Sequence, residues 1–103
     1  MKVAFTPTAV RQIESRIAYL MSQGAGRAAV AARKRIMTFI NDFLAGYPRT
    51  GRLIPEKGIY EIWIPRTRYI IFYRVEAEDT LRILALFHSA QDRSTFTTED
   101  SES

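Results

Sequence analysis

The chain has 103 residues, 47% of them hydrophobic, with 15 Lys and Arg against 11 Asp and Glu, a single histidine and no cysteine. That length makes one domain, able to bury roughly two-thirds of the surface its unfolded form exposes. Without cysteine there is neither a disulfide framework nor a thiolate site, and a lone His88 argues against a zinc centre. No apolar run approaches the ~20 residues of a membrane span, and the opening MKVAFTPTAV is broken too early by Pro7 to serve as a signal peptide, so a cytoplasmic protein is expected.

The net charge of +4 is unevenly placed. Glu99, Asp100 and Glu102 lie in a tail with no basic residue after Arg93, and the body before it, with 15 basic and 8 acidic residues, carries +7. Residues 1–93 are therefore expected to be the folded domain, and 94–103 an acidic, flexible tail. A body this basic favours acidic partners, whether nucleic acid or an acidic protein segment.

Lys2 to Phe5 suits a short strand. Thr6-Pro7 then supplies an N-cap followed by proline at the first helical position, so a helix is expected to start there. Val10, Ile13, Ile17, Leu20 and Met21 recur at helical spacing on one face, and Gly24 and Gly26 end the helix in a tight link. A second helix is expected from about Arg27 to Ala45, stopped by Gly46 and Pro48. One side of it gathers Ala29, Ala32, Ile36, Phe39, Ile40, Phe43 and Tyr47, while Val30, Met37 and Leu44 make a second line about 100° away. The second line either meets the first helix or meets a partner.

Pro48 to Lys57 reads as a connection, followed by strands at 59–64, 68–76 and 80–88 with turns at Pro65-Arg66-Thr67 and Glu78-Asp79. A strand, two helices and a three-stranded meander predict an α+β domain, β-α-α-β-β-β, with a helical hairpin on one face of a small, mainly antiparallel sheet. By parity, Tyr69, Ile71, Tyr73 and Val75 with Leu81, Ile83, Ala85 and Phe87 form the core face. The opposite face holds Ile70, Phe72 and Arg74 with Arg82, Leu84, Leu86 and His88, joined by Ile59, Glu61 and Trp63. That much apolar surface on the uncovered face needs a partner, or shielding by sheet twist and the tail.

No glycine-rich phosphate loop, paired carboxylate or Ser/His/Asp set is legible, so no nucleotide or metal cofactor is expected. Arg33-Lys34-Arg35 fans around its helix as a solvated face, because consecutive helical residues diverge by about 100°. Arg49, Arg52, Lys57, Arg66 and Arg68 lie in loops at strand ends, where cations converge without burial. A ribonuclease that uses the 2′-hydroxyl as nucleophile needs a base, an acid and cations at the phosphorane-like transition state. Arg66, Arg68 and His88 nominally provide the acid and the cations.

The run Trp63-Ile64-Pro65-Arg66-Thr67-Arg68-Tyr69-Ile70-Ile71-Phe72-Tyr73-Arg74-Val75, then Leu84-Ala85-Leu86-Phe87-His88-Ser89-Ala90-Gln91-Asp92-Arg93, resembles the strand core and C-terminal signature of ParE-type toxins in the RelE/ParE superfamily. Phe5-Thr6-Pro7-Thr8-Ala9 resembles the family's opening, so the likeness spans residues 2–93. It implies the toxin of a bacterial type II toxin–antitoxin system, neutralised in a hetero-oligomeric complex by a cognate ParD-like antitoxin with an acidic C-terminal segment. For ParE-type members it implies inhibition of DNA gyrase without enzymatic activity. The superfamily's other branch, the RelE-like ribosome-dependent messenger-RNA endonucleases, uses several strand-borne lysines and arginines and often a C-terminal tyrosine. Here the lysines are Lys2, Lys34 and Lys57 alone and no tyrosine follows Tyr73. The nuclease is thus the alternative, with Arg66, Arg68 and His88 as its residues and Glu56 or Glu61 as the glutamate. The expected antitoxin contacts are Tyr19, Val30, Met37, Leu44, Trp63 and Phe72. The expected target-binding residues are Arg66, Arg68, His88 and Arg93.

Overall fold

The structure is a computed structural model and describes residues 1–89. Strand β1 (Lys2–Phe5) runs into helix α1 (Pro7–Ser22), which is followed by α2 (Gly26–Thr38), a π-helical segment (Phe39–Leu44), and strands β2 (Arg52–Ile54), β3 (Ile59–Trp63), β4 (Tyr69–Glu76) and β5 (Thr80–His88). The five strands form one mixed sheet in the order β1-β5-β4-β3-β2. All neighbours are antiparallel except β1, which pairs with β5 in parallel. The two helices pack on one face, as expected for an α+β chain. Strand β2 is an addition, since the three residues Arg-Leu-Ile before Pro55 are too few to stand out from a connection.

Thr6 joins three elements. In extended backbone it caps α1, its hydroxyl accepting from Ala9 N–H at 3.1 Å, and the same hydroxyl donates to the Leu84 carbonyl at 2.8 Å. At 3% exposure it is the one buried polar residue among those described. Its loss removes a cap worth about 1 kcal/mol and orphans a buried carbonyl. At the other end of α1, Gly24 at φ 73° allows Ala25 N–H to reach back to the Leu20 carbonyl at 3.0 Å, a Schellman closure that turns the chain into α2.

The second helix is continuous to Leu44, but its last six residues are wound as a π-helix. Ala45 N–H bonds the Ile40 carbonyl, five residues back, at 3.0 Å, and the Asn41 side-chain amide donates to the Met37 carbonyl at 2.9 Å. The wider turn keeps Ile36, Ile40 and Leu44 on one line, all at 0% exposure. Phe43, expected in the core, is displaced to the flank and is 38% exposed. Val10 is likewise expected inside but is 47% exposed, because the buried line of α1 is Ala9, Ile13 and Ile17, and Val10 stands about 100° round from Ala9.

Strand β5 holds the main departure from simple alternation. Phe72 pairs with Ala85 and the next residue, Tyr73, pairs with Ile83, so Leu84 is an extra, bulged residue. One inserted residue reverses the parity of everything after it. Leu86 and His88 therefore join Tyr69, Ile71, Tyr73, Leu81 and Ile83 on the helix-facing side. Ala85 and Phe87, expected in the main core, lie on the opposite face with Ile59, Phe72 and Ile54. The turn before β5 is of the primed type that suits a twisted hairpin, with Glu78 and Asp79 at φ 64° and 57°.

Candidate functional site

An open groove of about 890 Å³ runs between the flank of α2 with its π-helical extension and the outer end of β3. Phe39 and Phe43 stack with centroids 5.3 Å apart, and Phe43 and Tyr47 continue the row at 5.3 Å. Residues four apart are neighbours on a helix surface, so the three rings form one row. Across the groove stand Ile62, Trp63 and Pro65. Trp63 is 51% exposed and Tyr47 64%, so the aromatic surface is presented to solvent rather than spent on the core.

Cations rim this apolar floor. Lys34 and Arg35 come from α2, and Arg66 from the β3–β4 loop. That loop is fastened by Thr67, whose hydroxyl donates to the Ile64 carbonyl at 2.7 Å and accepts from Tyr69 N–H at 3.0 Å. Arg66 sits at its tip in left-handed backbone, φ 61°. Among the described residues Asp42 is the only acid lining the groove. An apolar trough with a basic rim suits an amphipathic helix with acidic flanks.

The residues expected to meet an antitoxin are scattered rather than contiguous. Trp63 is in the groove. Val30 is 69% exposed on the outer side of α2, about 100° round the helix from Ala31 of the groove wall. Tyr19 lines a different pocket, on the far flank of the hairpin. Met37 is half-buried against the main core. Leu44 at 0% and Phe72 at 4% exposure must be withdrawn as contact residues, because the π-helical turn carries Leu44 inward and Phe72 lies at the centre of the opposite-face cluster. Phe39 and Phe43 form the groove, although helical spacing sets both on the side that carries Ile36 and Ile40 and predicts a core position for Phe43. Their signal was the Phe39-x3-Phe43-x3-Tyr47 repeat, one aromatic row too many for a helix that already buries Ile36, Ile40 and Leu44.

The cationic set does not converge either. Arg66 lines the groove, while Arg68 is exposed and close enough to His88 for its charge to act there. Arg93 lies outside the described residues, as does the acidic tail. His88 packs edge to face on Tyr69 with centroids 6.0 Å apart. Its imidazole is held below its usual pKa by partial burial first and then by the charges of Arg16 and Arg68. Glu61 pairs with Phe72 in the sheet register and His88 with Tyr69, which places the two side chains on opposite faces. Arg52 donates to the Glu61 carboxylate at 2.8 Å. Glu61 therefore does not stand beside His88 as the general base that a 2′-hydroxyl-activating nuclease requires. Among the described residues no group of His, Asp or Glu has metal-site geometry, and no helix is long and apolar enough to cross a membrane.

Comparison with known families matches residues 3–93 to the family described as the ParE toxin of the type II toxin–antitoxin system parDE. The chain belongs to the ParE toxin family. Among solved structures, this ParE-family chain is similar to one described as the chromosomal ParDE TA system from P. aeruginosa, with a TM-score of 0.72 over 85% of this chain and 95% of that one. At 16% identity that likeness establishes the fold alone. No curated protein matches the sequence.

Proposed function

We propose that this chain is the toxin of a two-component system, held inactive in a hetero-oligomeric complex by an acidic amphipathic helix of its antitoxin lying in the α2–β3 groove, and that free toxin arrests growth in the cytoplasm by inhibiting DNA gyrase. The observation that supports the docking is the pair of half-exposed aromatics Phe43 and Trp63 on opposite walls of a groove rimmed by Lys34, Arg35 and Arg66, with Tyr47 continuing the row from Phe43. Burying such aromatics is strongly favourable, and each is a natural anchor. Inhibition by binding rather than catalysis is supported by the separation of His88 from Glu61 across the sheet. Gyrase as the target rests on the likeness to ParE-type toxins.

The test is expression without antitoxin, followed by assays on purified gyrase and purified ribosomes. DNA damage, filamentation and inhibited supercoiling in vitro are expected. Codon-phased cleavage of messenger RNA on ribosomes, abolished by Arg68→Ala or His88→Ala, would overturn the reading in favour of a RelE-like endonuclease.

A further inference from the structure

A second pocket, of about 670 Å³, opens on the far flank of the hairpin, where α1 crosses the ends of β4 and β5. Thr8, Arg11, Gln12, Ser15, Arg16, Tyr69 and His88 furnish its polar surface, and among the described residues no Asp or Glu lines it. Two hydrogen bonds turn this lining into a set of donors. Leu86 N–H donates to the Gln12 side-chain oxygen at 2.8 Å, which leaves the amide hydrogens of Gln12 for the pocket. Arg16 Nε donates to the Tyr69 hydroxyl at 3.1 Å, which leaves that hydroxyl's own proton and the two terminal guanidinium nitrogens to be used.

Arg16 is fixed before any ligand arrives. Its guanidinium carbon lies 5.2 Å from the Tyr19 ring centroid and 5.8 Å from that of Tyr69. Four other arginines meet carboxylates: Arg33 meets Glu14, Arg52 meets Glu61, and Arg74 and Arg82 both meet Glu76. Arg16, half-buried, makes no ion pair with any described residue. A cation drawn partly out of water and given no counter-charge is a standing electrostatic deficit that an anion removes.

We propose that this pocket binds the phosphate group of a nucleotide. A phosphate presents three acceptor oxygens, and the pocket offers donors from two elements: Arg11, Gln12, Ser15 and the open edge of the Arg16 guanidinium from α1, and the Tyr69 hydroxyl from β4. A carboxylate, with two coplanar oxygens, uses fewer of them. The volume is several times that of a bare phosphate and falls in the range of small-molecule sites, about 300–1,000 Å³. Tyr19, 52% exposed at the rim, offers a flat surface for a base. The phosphate comes either from a free mononucleotide or from the 5′ end of a DNA strand. The pocket lies apart from the α2–β3 groove, so this inference stands independently of the proposed antitoxin and target.

Nuclear magnetic resonance titration of the full chain tests it, with AMP, adenosine, inorganic phosphate, acetate at matched ionic strength, and one oligodeoxynucleotide with and without a 5′-phosphate. Saturable shifts of the Leu86 amide and the His88 ring with AMP are expected, weaker ones with phosphate, and none with adenosine or acetate. Arg16→Gln should weaken AMP binding about tenfold or more, as loss of charge-assisted hydrogen bonds implies. If that variant fails to fold, Arg11→Gln should weaken binding and Gln12→Glu, which places an anion in the lining, should abolish it. Tighter binding of the 5′-phosphorylated strand than of AMP identifies a nucleic-acid end as the source, and the reverse order a free nucleotide. Equal shifts with acetate and phosphate, no shift with AMP, or AMP binding unchanged in the folded variants would overturn the proposal.

Discussion

Tyr69 and His88 stand directly opposite each other on β4 and β5, rings edge to face at 6.0 Å, and both project toward α1. The pairing exists because Leu84 is bulged out of the β4–β5 ladder. Without that extra residue His88 would emerge on the other side of the sheet, nearer Glu61.

The His88 imidazole is accordingly expected to titrate below the ordinary value of 6.5. Partial burial is the larger cause and the cations Arg16 and Arg68 the smaller, so Arg68→Gln should raise the pKa without restoring it fully. Because the folded form resists protonation, the linked stability is complete above about 6.5 and falls as pH drops through the folded pKa. A proton-detected titration of the single histidine, in the native chain and in the variant, measures this. A pKa above 6.5 would contradict the described packing.

Glu76 makes a second pH sensor of the same sign, for a different physical reason. It accepts from Arg74 at 2.6 Å and from Arg82 at 2.9 Å, and these bonds, that of Arg74 foremost, hold its carboxyl below the ordinary 4.5. The stability it contributes is present above that value and is lost as pH falls through the folded pKa. Glu76→Gln should therefore flatten the decline of stability below about pH 4.5, seen as a smaller loss of denaturation midpoint on acidification.

In the core, Ile83 is wholly buried while Val10 is 47% exposed. Ile83→Ala should cost about 2–5 kcal/mol, and Ile83→Asp should prevent folding, since an unpaired buried carboxylate is strongly disfavoured. Val10→Ala should change stability by less than about 1 kcal/mol. Equal effects of the two alanine substitutions on urea unfolding would refute the assignment of the α1 face.

For the groove, Trp63→Ala and Phe43→Ala should each weaken antitoxin binding by about 1–4 kcal/mol while leaving the fold intact. Leu44→Ala should act through stability instead, at about 2–5 kcal/mol. Lys34→Ala and Arg35→Ala should chiefly slow association, with the difference shrinking at high salt. Calorimetry and stopped-flow measurements on the purified pair separate these. Undiminished affinity in a folded Trp63→Ala, Phe43→Ala double variant would exclude the groove.

The features written locally in the chain were legible from it. Thr6-Pro7 specified where α1 begins, Glu78-Asp79 where the β4–β5 turn falls, and the two apolar runs their strands to within a residue. What was not legible depends on partners distant in sequence. Strand β2 is three residues long and exists because β3 offers an edge and because Gly51 fits beneath Tyr73, whose hydroxyl accepts from Gly51 N–H at 3.0 Å. A Cβ there would come within 2.7 Å of that hydroxyl. The bulge at Leu84 and the π-helical turn each leave the residue types unchanged and alter only the count. Parity arguments therefore misplaced Ala85, Phe87, Leu86 and His88, and a strict helical period misplaced Phe43 and Leu44. Trp63 was identifiable because a tryptophan near a strand end, beside a cationic turn, has nothing local to bury it.

The π-helical segment also amounts to one stored residue. Asn41, exposed and bonded only to the Met37 carbonyl among the described contacts, sits inside it. Removing that residue allows the helix to relax to ordinary α winding, which leaves Phe43 three positions beyond Phe39, still a neighbour on the same side of the helix. The aromatic wall thus tolerates the loss of one residue of chain length. A single-codon deletion at Asn41 keeps the side chains that form the groove on the same side of the helix.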